Sequence, residues 1–188
     1  MKNTLSVGRT SGMTLIELMT VLAVVALLSV MGLPAMKEIN KKAEARAQIS
    51  RIHMTISQAY AHAILNTVPV TLCPLDTNNR CQRTWESTIT SFEDHNRDRR
   101  RQPEEAIINI LAPLQDPSAA RNYGRRNALT FDAQGHAMGY NGTFRYCYQG
   151  SKHYASGVIV HGTGRIRKAK DRNADGIAED SRGRPIEC

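Results

Sequence analysis

Aromatic residues are scarce: one Trp, six Tyr and three Phe, 5% of a 188-residue chain. Any core must therefore lean on aliphatic side chains. Catalytic signatures are missing as well. There is no G-x-S-x-G, H-E-x-x-H, P-loop or Rossmann fingerprint, and His95, His136, His153 and His161 stand without motif context. The sequence reads as a non-enzyme, with no catalytic residue, cofactor or metal assigned. Cysteines are few (Cys73, Cys81, Cys147 and Cys188) and none sits in a C-x-x-C spacing, which argues against a zinc site or a redox pair. Acids are outnumbered: 17 Asp and Glu face 25 Lys and Arg, a net charge of +8. That excess directs attention to polyanionic partners. With 41% hydrophobic and 22% charged residues the chain as a whole is not a disordered tail, and its length allows one domain plus an extension.

The hydrophobic residues are skewed toward the N-terminus. Leu18 to Met36 carries no charge; as a helix it spans about 28 Å, close to the ~30 Å apolar core of a bilayer. Its apolar residues lie all round the helix, which favours a membrane span over a buried core helix. A secretory signal peptide would have a shorter apolar region followed by an A-x-A-like site. Here the basic leader, with Lys2 and Arg9, ends at Ser11-Gly12 before the run. One carboxylate, Glu17, accompanies it, and such a group near hydrocarbon marks a functional position.

Gly12-Met13-Thr14-Leu15-Ile16-Glu17 resembles the leader junction of type IV prepilins. The resemblance implies cleavage after Gly12 by a prepilin peptidase, methylation of the new N-terminus on Met13, and retention of Glu17 five residues into the mature chain. Met13 replaces the more usual Phe. Pro34 falls where pilin helices commonly carry a proline, and it should interrupt or kink the helix. In a filament, Glu17 of one subunit would pair with the Met13 amine of a neighbour, so that neither charge stays alone in an apolar core.

Beyond Pro34, Ile39, Ala43, Ile49, Ile52, Ile56, Ala59 and Ala63 form one apolar stripe. This predicts an amphipathic helix over 37–66, ending near Asn66 and packed on a globular head, 67–188. Strand patterns follow at 68–72, 85–92, 106–111, 128–131, 143–148 and 157–160. Turns are expected at Asp132-Ala133-Gln134-Gly135 and at the Asn141-Gly142 pair. The predicted class is α+β, with two small antiparallel sheets against the helix.

The head is similar to the GspH/FimT family of minor pilins and pseudopilins. The matching pieces are Val70-Thr71-Leu72-Cys73-Pro74, Cys81, Trp85-Glu86 and Ser91-Phe92-Glu93-Asp94. They continue with Asn96-Arg97-Asp98, Glu105, 129–135, Gly142-Thr143-Phe144 and Cys147. The cysteines suit an oxidising compartment. Of three pairings, Cys73–Cys81 and Cys147–Cys188 are favoured; the first closes a short polar loop and the second ties down the C-terminus.

The C-terminal segment holds five cations in eight residues: Arg165, Arg167, Lys168, Lys170 and Arg172. Arg182 and Arg184 follow. Against these seven stand Asp171, Asp175, Glu179 and Asp180, leaving a local +3. If 164–168 is a strand, Arg165 and Arg167 share a face and Ile166 points to the core. Gly164-Arg165-Ile166-Arg167 resembles the GRxR motif of FimT-type minor pilins, which bind DNA during natural transformation. The resemblance implies that Arg165 and Arg167 lead, with Lys168, Lys170, Arg172, Arg182 and Arg184 in support, gripping double-stranded DNA through its phosphates without regard to sequence. Arg97–Arg101, Arg121, Arg125 and Arg126 are candidate extensions of that surface, and Tyr123 and Tyr154 are candidate base-stacking platforms. Asp171-Arg172-Asn173-Ala174-Asp175-Gly176 resembles the start of a calcium loop, with Arg182 at position twelve in place of Glu.

The expected organisation is a leader (1–12), a membrane or filament-core helix (13–36), an amphipathic helix (37–66) and the head. The expected protein is a DNA-binding minor pilin of the inner membrane and pilus, with other pilins, the prepilin peptidase and DNA as partners. A purely structural pilin or type II secretion pseudopilin is the alternative.

Overall fold

Thr14 starts the first element. Its hydroxyl accepts the backbone N–H of Glu17 at 3.3 Å, and Ser/Thr followed three residues later by Glu is a helix-start signature. In the computed structural model, which describes residues 12–188 apart from the side chains of 28–35 and 37, helix α1 runs Leu15–Asn66 as one element. The break offered for Pro34 is absent, and the Pro34 side chain lies outside the described residues. Among the described residues no helix is long and apolar enough to cross a membrane. The run at 18–36 includes residues whose side chains are not among them.

The chain divides into two compact units, one ending at Asn40 and one spanning Lys41–Cys188. In the first, the apolar side chains of Leu15, Ile16, Leu18, Leu22 and Leu27 are all exposed. In the second, Ala45, Ile49, Ile52, Ile56, Ala59 and Ala63 are buried at steps of four and three. This is the expected stripe with one correction: Ile39 and Ala43 are exposed, and Ala45 takes the position assigned to Ala43. Asn66 caps the helix. Thr67 has a φ of 55°, and Val68 N–H returns to Ala63 O at 3.2 Å, the bonding of a Schellman end.

Eight strands follow: β1 Val70–Pro74, β2 Ile89–Glu93, β3 Ile107–Leu111, β4 Ala119–Asn122, β5 Leu129–Phe131, β6 Gly142–Tyr148, β7 Ser151–Val160 and β8 Ile166–Lys168. They make two four-stranded antiparallel sheets, β3-β2-β1-β5 and β4-β6-β7-β8. The α+β class with two small sheets against a helix is what the structure shows. The helix stripe meets Leu72 and Ile89 of the first sheet and Phe144 of the second. On the first sheet's other face Thr71 donates to buried Asp94 at 2.6 Å and lies 2.8 Å from the Thr130 hydroxyl. The few aromatics are concentrated at one point, where Trp85 meets Phe144 edge-on at 5.1 Å and Tyr123 at 5.8 Å.

Several boundaries differ from expectation. Trp85 precedes β2, because its indole is committed to the core and donates to Arg126 O at 2.9 Å. Asn141-Gly142 leads into β6 and joins no hairpin. The two-residue turn is Gln149-Gly150, with φ of 51° and 62°, between paired Tyr148 and Ser151. Strand β4 was not anticipated. Cys73–Cys81 and Cys147–Cys188 are bonded, with Cα atoms 5.4 and 5.6 Å apart.

Candidate nucleic-acid interface

The basic segment begins at the β7–β8 hairpin. Val160 pairs with Ile166. His161 N–H bonds Arg165 O, and Gly164 N–H bonds His161 O, each at 2.9 Å. Gly164 has a φ of +83°, and a Cβ there would stand 2.2 Å from Gly135 O and 2.6 Å from the Tyr60 ring. Only glycine fits this turn, which is pressed onto the Asp132–Gly135 loop and α1. Gly164→Ala is expected to cost ~2–3 kcal/mol from backbone strain and the clash, a Tm fall of ~4–10 °C in differential scanning calorimetry, with every cation retained.

Beyond the turn, side chains alternate. Arg167 pairs with Ile159 and Lys168 with Val158, so these neighbours face opposite ways. Ile166 and Lys168 point toward α1, where Lys168 Nζ bonds Ser50 Oγ at 2.9 Å. Arg165 is exposed and Arg167 half-buried. Arg167 has its pKa lowered from the ordinary guanidinium value, first by partial burial and then by Arg172 and Arg165. The structure thus places Arg167 near both Arg165 and Arg172 and turns Lys168 to the opposite side of the strand. Lys170 and Arg172 are exposed. Among the described residues the ion pairs are His62–Glu93, His95–Glu93, His136–Asp132 and Arg184–Asp180; none involves the 165–172 cations.

The acids interleaved with these cations accept backbone N–H groups of the same segment. Glu179 is buried and accepts Arg172 N–H at 2.9 Å. Asp180 is buried, accepts the N–H groups of Arg182 and Arg184, and pairs with the Arg184 guanidinium at 2.9 Å. Asp171 accepts N–H from Ala174 and Gly176, and Asp175 from Ile177. Carboxylate oxygens of Asp171, Asp175 and Glu179 lie within 4.8 Å of one another, close enough to share a cation, in a turn that is also tied by its own backbone N–H groups. Arg182 is exposed; Arg184 is held by Asp180.

Three expectations for the wider surface are corrected. Tyr123 and Tyr154 are buried, so neither offers a face to a base. Arg121 is also buried, and its guanidinium donates to four carbonyls. Arg145, not singled out from sequence, belongs to the surface. Its position between Phe144 and Tyr146, both core residues, was the available signal, because a strand reverses face at each residue.

A family described as type II transport protein GspH matches residues 48–164. The chain belongs to the GspH family. The match ends at Gly164, so membership rests on the fold-bearing part and not on the basic segment. No curated protein matches the sequence. The fold is similar to that of the type IV minor pilin FimU of Pseudomonas aeruginosa strain PAO1. In one crystal form the TM-score is 0.51 at 14% identity, covering 72% of this chain and 92% of that one. In a second form it is 0.48 at 14% identity, covering 66% and 92%. The first likeness shows that this GspH-family chain has a pilin-like fold.

Proposed function

We propose that this GspH-family chain is a minor pilin that binds extracellular double-stranded DNA through Arg165, Arg167 and Arg172, with Lys170 beside them, during natural transformation. The observation that supports it is the crowding of Arg165, Arg167 and Arg172 while the acids nearest in sequence are engaged by backbone amides. Cations left out of the ion pairs among the described residues favour a polyanion, and arginine forks suit phosphate oxygens. With no recognition helix among the described residues, contact is to phosphates and independent of sequence.

The N-terminal part of the reading comes from Gly12, Met13 and Glu17. Cleavage after Gly12, insertion of the 13–36 helix in the inner membrane and packing among other pilins account for the exposure of the large apolar side chains described between Leu15 and Leu27. A second reading, a structural pseudopilin of a type II secretion system without DNA binding, is supported by the family match over 48–164. Titrating a labelled duplex with the full chain in nonionic detergent separates the two. The DNA reading expects binding that weakens as salt rises, and the structural reading expects none.

A further inference from the structure

A second arginine cluster lies on the sheet that carries β8. Arg125 and Arg126 follow β4, Arg145 is on β6, and Arg182 and Arg184 sit on the C-terminal turn; all five line one open groove of about 560 Å³. Its one acid, Asp180, is held by Arg184 and by backbone N–H groups. No ion pair among the described residues involves Arg125, Arg126, Arg145 or Arg182. The Nε atoms of Arg126 and Arg145 are buried and have no hydrogen-bond partner. The groove is also held in shape. Trp85 fixes the Arg126 carbonyl, strand pairing fixes Arg145, and the turn bearing Arg182 closes with Arg182 N–H on Asp180 at 2.8 Å.

Register relates this groove to Arg167. Arg145 pairs with Gly157 and Arg167 with Ile159, two positions along β7 on the same face. Two strand spacings across and two residues along place their backbones ~12 Å apart. That is comparable to the ~12 Å width of the duplex major groove, so one duplex can offer phosphates to both clusters.

We propose that Arg125, Arg126, Arg145 and Arg182 form a second phosphate-binding site, so that a DNA duplex is held at two points across the C-terminal segment that covers the outer face of the β4-β6-β7-β8 sheet. This rests on the DNA reading of Arg165 and Arg167. The test is a salt series with the full chain in nonionic detergent and a labelled duplex of about 25 base pairs, comparing wild type with Arg125→Gln/Arg126→Gln/Arg182→Gln, with the same three positions changed to Lys, and with Arg165→Gln/Arg167→Gln. The Gln triple variant is expected to lose roughly tenfold or more in affinity and to flatten the slope of log K against log salt by ~2–3, one contact contributing ~0.9. The Lys triple variant keeps the slope. A Gln triple variant that binds like wild type, while Arg165→Gln/Arg167→Gln loses affinity, overturns the second site and leaves the first standing. Equal losses in the Gln and Lys triple variants with unchanged slopes also overturn it, because they signal a structural role. A wild-type chain that binds no DNA at any salt overturns both.

Discussion

Replacing Cys147 and Cys188 together by Ser lowers stability by about 4 kcal/mol, the entropy of closing a loop over a separation of 41 residues. The effect reaches further than the number. The bridge fastens the end of the chain to β6, and the segment it fastens covers the outer face of the second sheet. Fully buried Ile186 sits where a Cβ on Gly157 would stand 2.9 Å from its Cδ1, and Glu179 forms an isolated bridge with Pro185. That same segment presents Arg172 and Arg182. The Cys73–Cys81 bridge closes only 8 residues and is worth about 2–3 kcal/mol on the same scale. Thermal unfolding of the two Ser pairs should therefore rank them, with the 147/188 pair lower. Limited proteolysis of that pair should cut first within 170–188. Equal melting temperatures for the two pairs would contradict this account of the C-terminus.

Arg121→Met is expected to cost about 3 kcal/mol or more, read as a Tm fall of ~6–12 °C. Nε donates to Trp85 O at 2.9 Å, and Nη2 donates to the carbonyls of Glu86, Ser87 and Ala112 at 3.2, 2.9 and 3.1 Å. Burial lowers its pKa to about 10, so the group remains charged at neutral pH. Methionine fills the volume but leaves those carbonyls without a donor. Arg121→Lys fails almost as badly, because a point charge on a flexible stem cannot span them as a planar fork does. A scanning calorimetry trace for Arg121→Met within 1 °C of wild type would show that the guanidinium does not hold these loops. DNA affinity measured below the lowered Tm is expected to stay near wild type, since Arg121 has no exposed donor for phosphate.

Much of this was legible because periodicity carries it. The helix from Ile49 to Ala63 and the strands at Leu72, Phe92, Leu129 and Phe144 have patterns that local physics makes hard to misread. The alternation of Arg165, Ile166 and Arg167 is similarly plain, and carried one residue further it places Lys168 on the α1 side. Strand β4, Ala-Ala-Arg-Asn, has no β-branched residue or alternation to declare it; pairing with β6 makes it a strand. The first half of β7 is polar for the same reason. Asn141-Gly142 looked like the hairpin because its residues favour a positive φ, yet register puts the turn at Gln149-Gly150. Arg121, Arg125 and Arg126 look alike in sequence. Only the fold shows that the first is enclosed by carbonyls and the other two face a groove.

The central claim is that crowded arginines at the β7–β8 hairpin grip DNA phosphates. Its most direct measurement is the duplex affinity of the full chain and of Arg165→Gln/Arg167→Gln, each over a salt series from about 50 to 200 mM. The account predicts that wild type weakens steeply with salt. The variant should lose roughly tenfold or more in affinity at the lowest salt, for every duplex sequence alike, with a slope shallower by ~2. A variant that binds as tightly as wild type with the same slope would contradict it.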